Sequence, residues 1–340
     1  MTTRHEGPTD WRRAAFSQIE DAVRRVLVVT PPRSRTVRNL AFHHYGGQVR
    51  RILRTAPAEF EVTGRRVLAA GASSSVAEVS LVTDAAVAPG DVLSLWWRNS
   101  DERVAGHARG LGPQRYWTTP LPHRPSTRRT APEDVLLREV VELGDQAVDW
   151  RGAPRIVPRF FTTSHATVTA GRTELRLQVT RDRRWPERAA AHLHRVAPRE
   201  RLSGWVLPHP HRVPTGPGLA IVTGSGAASV FASLRAGAGD VRLLWGLGDK
   251  ELAPWVEDEL AEWLAGGALA GLEIARTPTR VTDLLLPRRA EVRELVAAGG
   301  WLFVSGNAVM GEHVDAMVAD ALGDRRYREC YEAMRYIVST

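Results

Sequence analysis

The sequence changes period near residue 217, and that change limits the folds open to it more than any single motif does. From there on, apolar runs of strand length alternate with longer stretches of helical spacing. "LAIVTGSGAASVFASLRAG" reads as strand, glycine turn and helix, "DVRLLWGLGD" as a strand, and "KELAPWVEDELAEWLAGG" as a helix. "LEIARTPT", "RRAEVRELVAAGG", "WLFVSGNA" and "MGEHVDAMVADAL" continue as strand, helix, strand and helix. Such alternation predicts a parallel, doubly wound α/β sheet. Earlier residues read as strands without helices between them. "FEVTGRRVLAA" and "VAEVSLVTD" flank the turn "GASSS", "VAPGDVLSLWWRN" puts a Pro-Gly-Asp turn before an apolar strand, and "TELRLQVT" alternates. "GPQRYWTTPLPHRPSTRRTAPE" reads as a loop and "DVLLREVVELG" as a short amphipathic helix. Near the start, Trp11, Ala15, Ile19, Val23 and Leu27 form one helical stripe ahead of an arginine-rich stretch. The chain divides into a basic helical extension over 1–57, a β-rich domain over 58–216 and an α/β domain over 217–340.

Composition narrows the function classes. No run of about 18 apolar residues exists to span a membrane, and the N-terminus lacks the apolar core of a secretory signal. Cys330 is the only cysteine, which excludes an intramolecular disulfide and a cysteine-based zinc site. A cytoplasmic location and no membrane partner are the expectation. The net charge is +8, carried almost wholly by arginine, since Lys250 is the only lysine. These arginines are scattered rather than gathered in a stripe, so no nucleic-acid partner is expected. An acidic protein partner or a phosphorylated cofactor suits the charge better.

In an open parallel sheet, ligands bind at the carboxyl ends of the strands. Three turns occupy such ends: Gly224-Ser225-Gly226, Arg276-Thr277-Pro278 and Ser305-Gly306-Asn307. A glycine turn lets backbone N–H groups approach a phosphate, though many such turns carry glycine for packing alone. Arg276 and Arg280 are spaced to hold a phosphate with paired donors, or to stand solvated. "PRFFTTS", residues 158–164, puts an arginine, two aromatics and hydroxyls on one short strand. His192 with His194, and His209 with His211, form two H-x-H pairs; no metal is assigned to them. Glu257, Asp258 and Glu259 read as a solvated helix face.

The order of these features resembles the ferredoxin–NADP reductase superfamily, over about residues 58–338. "PGDVLSLWWRN" resembles the family's "PGDALGVWPxN", "LLREVVEL" its "TLREAL", and "VPRFFTTS" its "xPRxYS". "HRVP" resembles "FRLP", "LLWGLGDKEL" stands where the family has "LFFGCRxxxxD", and "WLFVSGNAVMGEHVDAMV" resembles "xxYVCGDAxxMAxDV". The terminal "RYIVST" resembles "RYxxDVW". More narrowly, the order looks like the reductase half of diflavin enzymes such as sulfite reductase flavoprotein and NADPH–cytochrome reductases.

The resemblance implies a β-barrel FAD-binding domain, with a shortened connecting insertion at about 100–150, followed by an α/β NADPH-binding domain. It implies that Arg159 contacts the FAD pyrophosphate, that Phe160 and Phe161 supply the aromatic platform with Phe161 stacked on the flavin, and that Thr162 stands near flavin N5. Ala190 and Ala191 fall on the flavin-phosphate turn. Gly224, Ser225 and Gly226 would face the nucleotide phosphates, Arg276 and Arg280 the 2′-phosphate of NADPH, and Asn307 and Met310 would flank the nucleotide. Thr162, Ser305 and Ser339 take the catalytic positions. The implied reaction moves hydride from NADPH C4 to FAD N5 and then electrons to a separate acceptor, a flavodoxin- or ferredoxin-like protein or a redox enzyme, because residues 1–57 carry no FMN-domain start.

Departures fall on the chemistry. Residues 185–192, "WPERAAAH", lack the glycine and hydroxyl of the flavin-phosphate turn, and "VTGSGAASVF" lacks its proline. Ser305 replaces a cysteine and Ser339 an aspartate, and the sequence ends at Thr340 before the aromatic that covers the flavin. Two other functions stay open: a degenerate, non-catalytic binding or scaffold subunit, and a biosynthetic flavoenzyme acting directly on a small molecule.

Overall fold

The computed structural model describes residues 57–96, 115–118, 133–136, 159–183, 189–207, 213–306 and 308–323. Its first half is a ring of six antiparallel strands: β1 (Ala58–Ala70), β2 (Ser74–Thr83), β3 (Val92–Trp96), β6 (Arg159–Thr169), β7 (Arg172–Asp182) and β8 (Arg201–Leu207). Their order is β1-β2-β7-β6-β3-β8, and β8 returns to pair with β1, with Phe60 opposite Leu202. Closure removes the free edges that an open sheet would expose. Alternate residues point inward, so Val79, Leu81, Leu93, Leu175, Leu177 and Val179 make a dry barrel core. The Pro89-Gly90-Asp91 turn grips β6. Gly90 has φ 82°, its N–H donates to the Thr163 carbonyl (3.2 Å), and the Thr163 N–H donates to the Asp91 carbonyl (2.8 Å).

Two sequence expectations fail between these strands. Arg115–Thr118 (β4), read as loop, and Glu133–Leu136 (β5), read as the end of that loop and the start of a helix at Asp134, form an antiparallel pair, Arg115 opposite Leu136. Tyr116, Trp117 and Val135 have the aromatic and β-branched character that favours strand pairing over a short helix. The remainder of the expected helix lies outside the described residues, as does the extension before residue 57. Helix α1 (Ala189–Leu193) follows β7 and packs against it, with Leu193 in the barrel core.

The second half holds four parallel strands: β9 (Gly218–Thr223), β10 (Val241–Gly248), β12 (Leu269–Arg276) and β13 (Trp301–Ser305), in the order β12-β10-β9-β13. Between them run α2 (Ala228–Arg235), α3 (Pro254–Ala265), α4 (Val281–Leu285) and α5 (Arg289–Ala297), with α6 (Ala308–Leu322) last. Both faces of the sheet are covered. Val222, Phe231, Leu243 and Trp245 belong to one core, and Ile221, Leu244, Val304 and Val314 to the other. Continuous apolar strands such as "LAIV" and "WLFV" are what a two-sided sheet requires. Chain reversal in strand order occurs at β9 and β13, the crevice where doubly wound sheets bind ligands. The short helix α4, formed by "VTDLL", was not apparent from the spacing. A two-residue strand, β11 (Glu251–Leu252), read as helix, adds to the barrel at β1, with Ala69 opposite Leu252.

Candidate functional site

The candidate site residues fall into three groups: on β6, in the crevice between β9 and β13, and at the end of β12. The first lies on β6. Pairing with β3 sets Phe160 opposite Ser94, Phe161 opposite Leu93 and Thr162 opposite Val92. Residues opposite one another share a face. Phe161 therefore joins Leu93 on the core side, where it packs against the barrel interior. Phe160 and Thr162 share the other face and are half-buried there. The hydroxyl of Ser94 on that face is buried with no hydrogen-bond partner. Of Arg159 only the backbone is described, as the first residue of β6. A bulge after Thr163 then sets Ser164 toward the α/β domain.

The second group is the crevice between β9 and β13. Gly224–Ala227 form one turn of 3-10 helix leading into α2, with Gly224 at φ 52°. A Cβ on Gly226 would stand 2.5 Å from the Ser305 carbonyl, and one on Gly306 would stand 2.1 Å from Thr223 Oγ1. Glycine is required at both positions for β9 and β13 to close up. Ser305 is buried (1% exposed) beneath this contact. Met310 lies in the core beside Val304 and Val314. The Ser225 N–H already has a partner: it donates to Thr180 Oγ1 of β7 at 3.1 Å, and Thr180 Oγ1 donates to Ser225 Oγ at 2.9 Å. Asn307 and Ser339 lie outside the described residues. Ala191 is fully buried and Ala190 packs on the barrel core, so α1 offers no side-chain donor at either position.

The third group starts at the last residue of β12. Arg276 Nη2 lies 3.1 Å from Glu251 Oε2, and its Nε donates to the Lys250 carbonyl at 3.4 Å. Arg280 precedes α4, where its N–H donates to Asp283 Oδ2 (2.7 Å) and its side chain is exposed. Lys250 is buried (8% exposed), and its Nζ donates to the Leu247 carbonyl at 2.7 Å. Burial pushes its amine down from the usual lysine range.

Sequence reasoning missed the ionic seam between the two halves. Glu78 on β2 has a side chain of 0% exposure. Its Oε1 accepts from Arg66 Nε (3.0 Å) and Nη2 (2.7 Å), and its Oε2 from Arg235 Nη1 (2.8 Å) and Ser164 Oγ (3.3 Å). Arg235, the last residue of α2, also grips Glu259 of α3 with two parallel bonds of 2.8 Å. Burial alone would raise the Glu78 carboxyl; the field of Arg235 and the hydrogen bonds from Arg235 and Arg66 outweigh it and hold it below its usual range. Glu259 is therefore an ion-pair partner rather than part of a solvated face. The one available signal was Glu78 itself, a charge in the otherwise apolar run "SVAEVSLV". Around this seam, the Arg66 guanidinium stacks on Trp255 (3.4 Å to the ring centre), Trp255 Nε1 donates to the Val67 carbonyl (2.8 Å), and Asp249 accepts from the Ser73 N–H (2.9 Å) and Oγ (3.0 Å).

His192 and His194 go separate ways. His192 Nε2 meets Glu200 Oε1 at 2.9 Å, whereas buried His194 meets the Val179 carbonyl at 2.8 Å through Nε2. His209 and His211 lie outside the described residues. Among the described residues no group of three His, Cys, Asp or Glu is arranged to hold a metal ion, and no helix is long and apolar enough to cross a membrane.

No protein-family model and no curated protein sequence matches this chain. Solved structures do. Ferredoxin–NADP+ reductase of Plasmodium falciparum is similar with a TM-score of 0.54, and its complex with 2′P-AMP and a point mutant in complex with 2′P-AMP each give 0.53. Identity is 9% in each case, over 84% of this chain and 96% of the reductase. A likeness at that identity is one of fold, and it agrees with the closed antiparallel ring followed by the parallel α/β sheet. The chain thus has the two-domain fold of a ferredoxin–NADP+ reductase.

Proposed function

We propose that this protein is an NADPH-dependent FAD reductase, with the barrel of residues 58–216 holding the flavin, residues 217–340 holding the nucleotide, and electrons leaving to a separate acceptor such as a flavodoxin- or ferredoxin-like protein. The observation that carries the reading is the contact between two elements: α2, which starts at the glycine turn, lies across β6, the strand of Phe160 and Thr162. Bound FAD would supply a hydride acceptor that can release electrons singly, and NADPH the hydride. What supports a flavin ring on the outer face of β6 is one half-buried aromatic, Phe160, and one half-buried hydroxyl, Thr162, side by side there. The assignment of Arg159 to the flavin pyrophosphate and the narrower diflavin-type affiliation rest on motif order.

The chain's own groups have definite tasks in this reading. Phe160 offers a flat apolar face, and Thr162 a hydroxyl that can hydrogen-bond at the reacting edge. Arg276 and Arg280 supply fixed donors to a phosphate dianion. Arg276 must exchange Glu251 for that phosphate, an inexpensive exchange because the pair is solvent-exposed. Buried Ser305 contributes a dipole rather than a charge, so positive charge developing on the nicotinamide gains less stabilisation than a carboxylate would give. The test compares NADPH with NADH as donors to a small dye. Arg276→Ala with Arg280→Ala should raise KM for NADPH at least tenfold while leaving KM for NADH within twofold, since each charge-assisted contact contributes about 1.5–3 kcal/mol. Equal effects on both donors would sink the 2′-phosphate assignment.

One observation favours a second reading, a binding subunit on this fold without redox chemistry. Thr180 occupies the Ser225 N–H, and α1 begins with alanines where a flavin phosphate needs donors. Uptake of FAD by the purified protein separates the two readings.

A further inference from the structure

We infer that Arg235 is a positioning residue, which with Glu78 fixes the glycine turn relative to the β6 strand. This rests on the reductase reading and deepens it. Helix α2 is attached to the barrel at both ends. At its start, Ser225 is held by Thr180 of β7. At its end, Arg235 Nη1 reaches Glu78 Oε2 (2.8 Å), the Ser164 carbonyl (3.2 Å) and Ser164 Oγ (3.3 Å), and its Nε and Nη2 are taken by Glu259. Ser164 stands two residues beyond Thr162 on the same strand, about 7 Å along it. One guanidinium therefore links the strand carrying the proposed flavin contacts to the helix whose first turn faces the nucleotide.

The two attachments differ in kind. Neutral hydroxyl contacts at Ser225 can be exchanged for a ligand. Arg235 cannot be exchanged: its side chain is 7% exposed, and that of Glu78 is 0%. A buried ion pair adds little net stability over an apolar pair of the same volume, because both charges lose their hydration. Its geometric consequence is larger, since five directional bonds from a planar group admit one arrangement of α2, α3, β2 and β6. Hydride transfer tolerates little displacement between donor and acceptor, and about 1 Å of error can cost 10²-fold in rate. Helix α2 lies close on β6, with small residues Ala228, Ser229 and Ala232 buried along it; a Cβ on Gly90 of the barrel would stand 3.9 Å from that of Ala232.

The test uses the full chain with spin labels at Val168→Cys on β6 and Leu264→Cys on α3, both exposed, in a Cys330→Ser background. The unmutated network should give one narrow distance distribution. Arg235→Met should broaden it and slow anaerobic flavin reduction by NADPH at least tenfold, with the dissociation constants for FAD and NADPH within twofold of the parent. Glu78→Gln combined with Arg235→Met removes both buried charges, so it should recover thermal stability but keep the broad distribution and the slow reduction. The inference is overturned if either variant keeps the narrow distribution, or if reduction stays at the parent rate. It is also overturned if the double variant recovers rate together with stability, because the network would then be a filler of the seam. Failure of the parent to be reduced by NADPH would instead refute the reductase reading and, with it, the catalytic part of this inference. The distance distributions would still decide whether Arg235 fixes the two elements.

Discussion

Single hydroxyls and imidazoles set the behaviour of this molecule at its finest scale. Thr180 Oγ1 stands 3.1 Å from the Ser225 nitrogen, where a phosphate oxygen would approach the glycine turn. Thr180→Ala frees that N–H, so it should tighten NADPH binding about fivefold, the worth of one neutral hydrogen bond of about 1 kcal/mol. Thr180→Ser keeps the contact and should bind as the parent does. Isothermal titration reads both, and an unchanged affinity in the alanine variant would show that the turn takes no phosphate. His194 supplies a pH dependence. Burial lowers its pKa despite the bond to the Val179 carbonyl, with Arg181 and Arg65 adding in the same direction. The unfolded chain therefore takes up protons first. The stabilisation is full above about pH 6.5, the ordinary histidine value, and is lost as pH falls through the depressed folded value. His194→Gln should flatten the fall in melting temperature between about pH 7 and 5. A remaining slope is expected from His165, which burial and then the charges of Arg176 and Arg235 lower as well.

Elements were legible in proportion to how far their periodicity ran without interruption. "LAIV", "RLLW" and "WLFV" announced a two-sided parallel sheet, and the glycine turn after β9 was apparent because only glycine fits where β9 and β13 converge. Trp301 sharpens that point: its indole occupies the space over Gly218, where a Cβ would stand 1.9 Å from the ring. Gly218→Ala should destabilise the domain by about 1–3 kcal/mol, the usual penalty for overpacking, and shift the urea midpoint with little change in slope. A midpoint equal to the parent's would mean that β9 and β13 are not in this register. Short elements were not legible. β4, β5, β11 and α4 are two to five residues long, too short for a period of 3.6 to be told from a period of 2. The elements that carry the candidate site were legible where they depend on local order, as in the strand of "FFTTS" and the glycine turn after β9. Strand register was not, and register is what turns Phe161 toward the core and Phe160 outward. The Glu78–Arg235–Glu259 seam joins residues 157 and 24 positions apart, and nothing local to any of them specifies the others.

At the scale of the whole molecule, the barrel and the α/β sheet are joined by directional contacts at several points: β11 on β1, Trp255 on Val67, Asp249 on Ser73, Arg235 on Glu78, and Thr180 on Ser225. These hold the proposed flavin strand and the proposed nucleotide turn side by side, the arrangement that a two-cofactor hydride transfer would require. In the proposed reductase, Ser305 and the alanines of α1 would bear on rate and affinity, not on that arrangement. This seam, in the proposed reductase, brings a flavin and NADPH together. The most direct test of that proposal is the visible absorption spectrum of the purified protein, supplied with FAD, before and after anaerobic NADPH. A flavin band that bleaches on NADPH is the predicted result. A protein that takes up no flavin, or one whose flavin band NADPH leaves unchanged, would contradict it.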